Sequence, residues 1–293
     1  MKRSLILVLT AAAAVATAVS GCGASSVTGD AVAKAATATS STHGARVAMT
    51  MTLSSGALPQ PVHMTANGVM NEVARQGRIN VDMSDLANAT GGSRVKASQL
   101  QMTEILNGTV IYMRMPFLDG KLPGNKKWLK VDIAKTSKAL GVNLGQLTQP
   151  GQDPGQQIGY LRTVSDAKKV GTDTIRGVKT THYRGVARLD RYPQLLPPSQ
   201  RAAARAGIQR LIKLSGTSSM PIDAWVDSGN RIRRMKLAMN MKLPQAPQSL
   251  HMDIQEDLYG FGASVNATPP PSDQVYDVTG AASKALKSAG AGG

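Results

Sequence analysis

From Arg46 to Phe261 the hydrophobic pattern takes a period of two, and that alternation restricts the fold more than any other feature of the chain. Val47, Met49, Met51 and Leu53 alternate with Ala48, Thr50 and Thr52. Ile79, Val81 and Met83 alternate with Arg78, Asn80, Asp82 and Ser84, and Leu100 and Met102 alternate with Gln99, Gln101 and Thr103. Successive side chains of a strand point to opposite sides, so such segments build sheets with one buried and one wet face. Further strands are expected from Val110 to Met115 after an Asn107-Gly108 turn, from Trp128 to Ile133, and from near Lys168 to a turn at Arg176-Gly177. Others follow from Lys179 to Leu189, Pro221 to Asp227, Arg231 to Leu243 and Leu250 to Phe261. In the last two, Met235, Leu237, Met239, Met241 and Leu243 share one side, as do Leu250, Met252, Ile254 and Leu258. Short helices are expected from Asp30, from Thr136 to Val142, from Asp153 through Leu161, and from Ser199 to Leu214. No internal repeat suggests a solenoid. The reading is one α+β domain of nine or ten antiparallel strands with two or three helices.

The N-terminus reads as an export signal. Lys2 and Arg3 precede an uncharged stretch, Ser4 to Gly21, that ends in small residues. Its second half is mostly alanine with Thr10, Thr17 and Ser20 interspersed, weak material for a span of about 20 strongly apolar residues. Val19-Ser20-Gly21-Cys22 resembles the lipobox of bacterial lipoproteins: small residues let the chain enter a peptidase cleft, and the thiolate accepts diacylglycerol. Cys22 is the single cysteine of 293 residues, so an internal disulfide is impossible, and lipidation would remove a reactive thiol. The expected organisation is a signal peptide over 1–21, a lipidated cysteine with tether and short helix over 22–45, a domain over 46–262, and a Pro/Gly/Ala-rich, frayed tail over 263–293.

The net charge of +16 would suit nucleic acid inside a cell, but outside the cytoplasm the available polyanions are lipid headgroups and envelope polymers. Aromatic residues make up 3% of the chain, which argues against surfaces that bind sugars or single strands by stacking. Methionine is abundant instead, at 14. The four histidines, His43, His63, His182 and His251, show no paired metal-ligand spacing. The chain has no GxSxG elbow, CxxC pair or phosphate-binding GxxxxGK[ST] loop. No enzyme, metal or cofactor is expected, and Asp227 before Ser228-Gly229 reads as turn chemistry.

Three segments carry a resemblance: Tyr160 to Gly171 with its Val170-Gly171, the strand entry Gly177, Thr180, Tyr183, and the hairpin Pro221, Trp225, Asp227, Gly229. Together they resemble actinobacterial lipoproteins of the LppX/LprG type, over roughly Val47 to Phe261. The resemblance implies a LolA-like fold, a strongly curved antiparallel sheet forming a half-barrel with two or three helices over its concave face. It also implies a membrane-anchored lipoprotein, on the outer face of the cytoplasmic membrane, that carries an acyl lipid or glycolipid. An envelope sensor or interaction module of the same fold is the alternative. The family brings no catalytic residues, its other members line the cavity with Leu, Val, Ile and Phe rather than methionine, and the basic segment below has no counterpart, so ligand identity does not transfer.

Two sets of residues are candidates for function. Met49, Met51, Met83, Met102, Met113, Met235, Leu237, Met239, Met241, Met252 and Ile254 would line a lipid cavity, since methionine adapts to changing apolar shapes; an ordinary core rich in methionine is the other reading. Arg201, Arg205, Arg210 and Lys213 lie in an acid-free segment, largely opposite Ile208, Leu211 and Ile212 on a helix. They would meet an anionic membrane surface, or form the solvated side of a helix packed on the sheet. The sequence names no protein partner.

Overall fold

A computed structural model describes residues 27–56, 58–89, 96–139, 161, 163–196, 198–242 and 249–290. The expected signal peptide, Cys22, most of the helix expected from Asp153 to Leu161, and Leu243 lie outside these residues.

Twelve strands form one open sheet. In chain order they are β1 (Ala45–Ser54), β2 (Val62–Asn71), β3 (Gln76–Asp82), β4 (Gln101–Asn107), β5 (Val110–Arg114) and β6 (Trp128–Asp132), then β7 (Val164–Ile175), β8 (Val178–Arg188), β9 (Ser219–Asp227), β10 (Ile232–Lys242), β11 (Ser249–Tyr259) and β12 (Val275–Asp277). Their order across the sheet is β12-β6-β5-β4-β3-β2-β1-β11-β10-β9-β8-β7, so two meanders are joined by β1 against β11. Every pairing is antiparallel except β12 on β6. Neighbouring strands rotate by about 20° each, so a sheet this wide coils into a half-barrel rather than lying flat.

Two strands went unread in the sequence. The sheet-facing positions of β2 are Val62, Met64, Ala66, Gly68 and Met70, and the small residues at its centre hide the alternation. Gly68 is needed there: a Cβ would collide with the Arg78 carbonyl oxygen and Ile79 Cα of β3. The other strand, β12, comes from the segment expected to fray. Val265, Ala267 and Val275 pack around Ile105, Tyr112 and Trp128, and a further helix follows at Thr279–Gly290, so the segment to residue 290 belongs to the folded unit.

Turn chemistry follows the register. Asn107 pairs with Val110, which leaves Gly108 and Thr109 as the central residues, and only Gly108 has positive φ, at 61°. This is a type II′ arrangement, not the Asn-Gly turn with two positive φ angles expected from the sequence. At Arg176-Gly177 both φ angles are positive, 48° and 80°. The strained Arg176 is held by Asp257 at 3.1 Å and lies 4.1 Å over the Tyr259 ring.

Five helices are described, more than expected: α1 (Val27–Ser40), α2 (Asp85–Ala89), α3 (Ile133–Ala139), α4 (Pro198–Ser215) and α5 (Thr279–Gly290). Val32, Ala35 and Ala36 of α1 pack against Ala187, Ile222, Ala224, Val226 and Met235 in the main buried core. Thr39 Oγ1 accepts the Ile232 N–H at 2.8 Å and ties α1 to the β9–β10 hairpin. None of the helices described is long and apolar enough to cross a membrane.

Candidate functional site

Residues paired across an antiparallel sheet point to the same side, so register assigns every side chain to a face. Met49 lies opposite Glu256 and Ala66, Met51 opposite Ile254 and Met64, and Leu53 opposite Met252 and Val62. The same row continues through Ile79 and Val81 to Glu104 and Met102, then to Met113 and Leu129. In the other direction Ile254 meets Leu237, Met252 meets Met239, and Leu250 meets Met241, while Met235 faces Ala224. Of the eleven expected cavity residues, ten lie on strands at register positions of this face, the Met241 side chain itself lying outside the described part. The eleventh, Met83, is one residue beyond β3, where its N–H donates to the Leu100 carbonyl.

The face is covered unevenly. Under α1, Met235 is only 7% exposed, as are its neighbours Ile222 at 2% and Ala224 at 1%. Away from α1, Met49, Met51, Met64, Met70, Ile79, Val81, Met102, Ile111, Met113, Leu237, Met239, Met252 and Ile254 are all half-buried. A sheet face closed by its own helices would resemble the α1 end throughout. Here one apolar surface runs from a packed core onto a wall that the protein does not fully cover.

Three acids on or beside this face escaped the sequence reading. Glu104 lies in phase between Met102 and Leu106, Glu256 between Ile254 and Leu258, and Glu72 in the turn after β2. The signal was present: an acidic residue at an apolar position of an alternating strand. Burial, with the Glu256 charge adding to it, pushes the Glu72 carboxyl from 4.5 up to about 7. Glu256 also rises to about 7, chiefly by burial and then by the charge of Asp257, and burial raises Glu104. Glu72 Oε2 is fully buried without a hydrogen-bond partner.

Over β8 to β11 the opposite face is polar and cross-linked by charge, while over β4 to β6 it carries the second buried cluster, Ile105, Tyr112 and Trp128. Asp257 joins Arg234 at 2.6 Å to Arg176, and Asp227 joins Arg233 at 2.6 Å to Arg231. Burial works against both carboxylates, yet hydrogen bonds and guanidinium charge hold them below the usual carboxylate range. His182 stacks on Trp225 with centroids 4.1 Å apart and contacts Asp223 at 2.6 Å, while the Trp225 indole N–H donates to Asp173 at 2.6 Å. A depression of about 460 Å³ is lined by Thr50, Thr52, Pro221, Asp223, Lys236, Leu237, Ala238, Asp253, Ile254 and Gln255, a mixture of polar and apolar groups. Among the described residues no group of three His, Cys, Asp or Glu side chains is placed to hold a metal.

The basic helix does not present its four cations alike. Arg201 turns back to the Leu196 and Gln194 carbonyls, at 3.0 and 3.4 Å, and so fastens the preceding turn. Arg205 and Lys213 are exposed on α4; the Arg210 side chain lies outside the described part.

No family model matches the chain. A Streptomyces griseus relative, an uncharacterized 31.2 kDa protein, is 32% identical over 113 residues, 36% of this chain and 35% of that protein, so the match spans about a third of the relative's length. Among solved structures the chain is similar to lipoprotein LppX of Mycobacterium tuberculosis. The likeness covers 83% of this chain and 98% of that one, at 13% identity and a TM-score of 0.47. LprF of Mycobacterium bovis follows at 14% identity and a TM-score of 0.41, over 84% and 98% of the two chains. A LolA superfamily protein of Nitrosomonas europaea is more distant, at 6% identity and 0.28 over 83% and 94%.

Proposed function

We propose that this chain is a lipid-anchored envelope lipoprotein that holds acyl chains against the apolar face of its sheet and carries them without a catalytic step. The observation that carries the reading is the half-buried apolar wall of β10, β11 and β1 to β5, continuous with the core under α1. Such a surface left to water would be an association hazard, and hydrocarbon chains laid along it would remove it from solvent. The methionines suit ligands of varying chain shape. In this reading Cys22 carries the lipid that anchors the protein to the outer face of the cytoplasmic membrane, and the tether sets the reach of the domain. Arg205, Arg210 and Lys213 would lie toward anionic headgroups.

Mass spectrometry of organic extracts from the purified protein tests this. Lipid in near-stoichiometric amount is expected. Protein that is lipid-free and takes up no acyl probe would overturn the carrier role and favour an interaction module, whose partner would cover the same wall.

A further inference from the structure

Resting on the lipid-binding reading, we infer that the lipid this face takes is uncharged at its buried end, bearing hydroxyl or ester groups there rather than phosphate or carboxylate. The first ground is composition by register. Along β1 to β6, β10 and β11 the positions on this face include two carboxyls, Glu104 and Glu256, and no lysine or arginine, in a chain of net charge +16. Phosphate and carboxylate are held by cations and arrays of N–H donors. A wall offering carboxyls instead repels them whenever those groups are ionised, and like charges brought together away from water cost several kcal/mol.

The second ground is the setting of the carboxyls. Met49 and Met235 flank Glu256 on the two neighbouring strands, and Ile79 and Met113 flank Glu104. The charged groups bearing on Glu256 are Glu72 and, from the other side of the sheet, Asp257. Arg75, in the same turn as Glu72, is a cation at that end of the face; burial lowers its pKa, yet a guanidinium stays protonated near neutral pH, so the lack of cations holds for the strand wall and not for that turn. Glu72 keeps a buried oxygen with no partner. A buried carboxyl lacking a partner is costly, and a ligand hydroxyl or ester would supply one. Protonated, it donates to an ester carbonyl; ionised, it accepts from a hydroxyl. Neither form accommodates a phosphate without a cation.

The test uses the full-length chain reconstituted in vesicles doped with one of two photo-crosslinking lipids of identical acyl chains, a diacylglycerol and a phosphatidic acid. The diacylglycerol should label peptides of β4, β10 and β11 about tenfold more than the phosphatidic acid, and the gap should widen between about pH 6 and pH 8 as Glu72 and Glu256 ionise. Glu104→Gln with Glu256→Gln should shrink the gap and weaken its pH dependence, leaving what Glu72 and the second ionisation of the phosphate contribute. Equal labelling by the two lipids at both pH values in the wild type, which needs no variant to fold, would overturn the inference, as would a gap unchanged in the double variant. Labelling by neither lipid would overturn the carrier reading and this inference with it.

Discussion

Glu256 shows how much one position can change on an otherwise uniform face. Its neighbours on the same row are Met49, Met235, Ile254 and Leu258, and its carboxyl, like that of Glu72, titrates near 7 instead of 4.5. In the folded state these groups bind protons that the unfolded chain has already released. Stability is therefore fully present below about 4.5 and falls as pH rises through about 7. Glu72→Gln with Glu256→Gln should abolish that loss, worth on the order of 1–3 kcal/mol for the pair after allowing for residual contact with water. Thermal melts of both proteins across this range check it, and parallel pH curves would refute it. The methionines make a second contrast. Met235→Ala empties a filled site beneath α1 and should cost roughly 2–5 kcal/mol. Met239→Ala, on the half-buried wall, should cost much less. Met239→Trp would overpack a true core by roughly 1–3 kcal/mol, yet on an open wall it should leave the melting temperature nearly unchanged and displace an uncharged fluorescent acyl probe.

At the scale of elements, α1 decides where core ends and wall begins. It buries Val32, Ala35 and Ala36 on β7 to β10, and its Thr39 satisfies the Ile232 N–H. Thr39→Ala leaves that buried donor unpaired and should destabilise by about 1–3 kcal/mol; hydrogen exchange at Ile232 should rise with it, and unchanged protection would mean water takes the place of the hydroxyl. Helix α4 offers a different experiment. Because Arg201 is spent on carbonyls of the preceding turn, Arg205→Gln with Lys213→Gln should weaken binding to anionic vesicles by roughly 1 kcal/mol per residue, the more so at low salt. Arg201→Gln should instead lower stability. If Arg205 and Lys213 can be replaced without effect on vesicle binding, α4 is simply a wet helix side.

The whole molecule is one sheet whose two meanders meet at β1 and β11, with an apolar inner face and an outer face that is ion-paired over β8 to β11 and covered by the 263–277 segment over β4 to β6. The C-terminal segment is part of that unit: Lys130 joins Asp277 at 2.8 Å, a contact that, with the Thr279 hydroxyl, holds the Asp277 carboxyl down at about 2. The proposed attachment to the membrane is a separate matter and would rest on Cys22. Cys22→Ala should give a protein that takes up no labelled fatty acid in growing cells, since no other residue can form the thioether; label retained by that variant would refute the lipoprotein reading. Much of the architecture was legible in advance. Ten strands followed from alternation, and ten of the expected cavity residues lie on one face because a period of two leaves each strand only two sides. The strand β2 was missed because Ala66 and Gly68 carry no hydrophobic signal, and Gly68 is small on account of β3, a neighbour that no local pattern reveals.

Alternation by itself determined that this chain builds a wide antiparallel sheet and which side chains share a face, because strand geometry converts sequence parity directly into direction. Only the tertiary structure decided how much of that face stays open. Covering depends on where α1 and the other helices come to rest, and those placements are set by contacts between residues far apart in the chain. The same distinction separates Met235 from Met239: identical in type and in phase, four residues apart, one lies beneath a helix and the other on the half-buried wall.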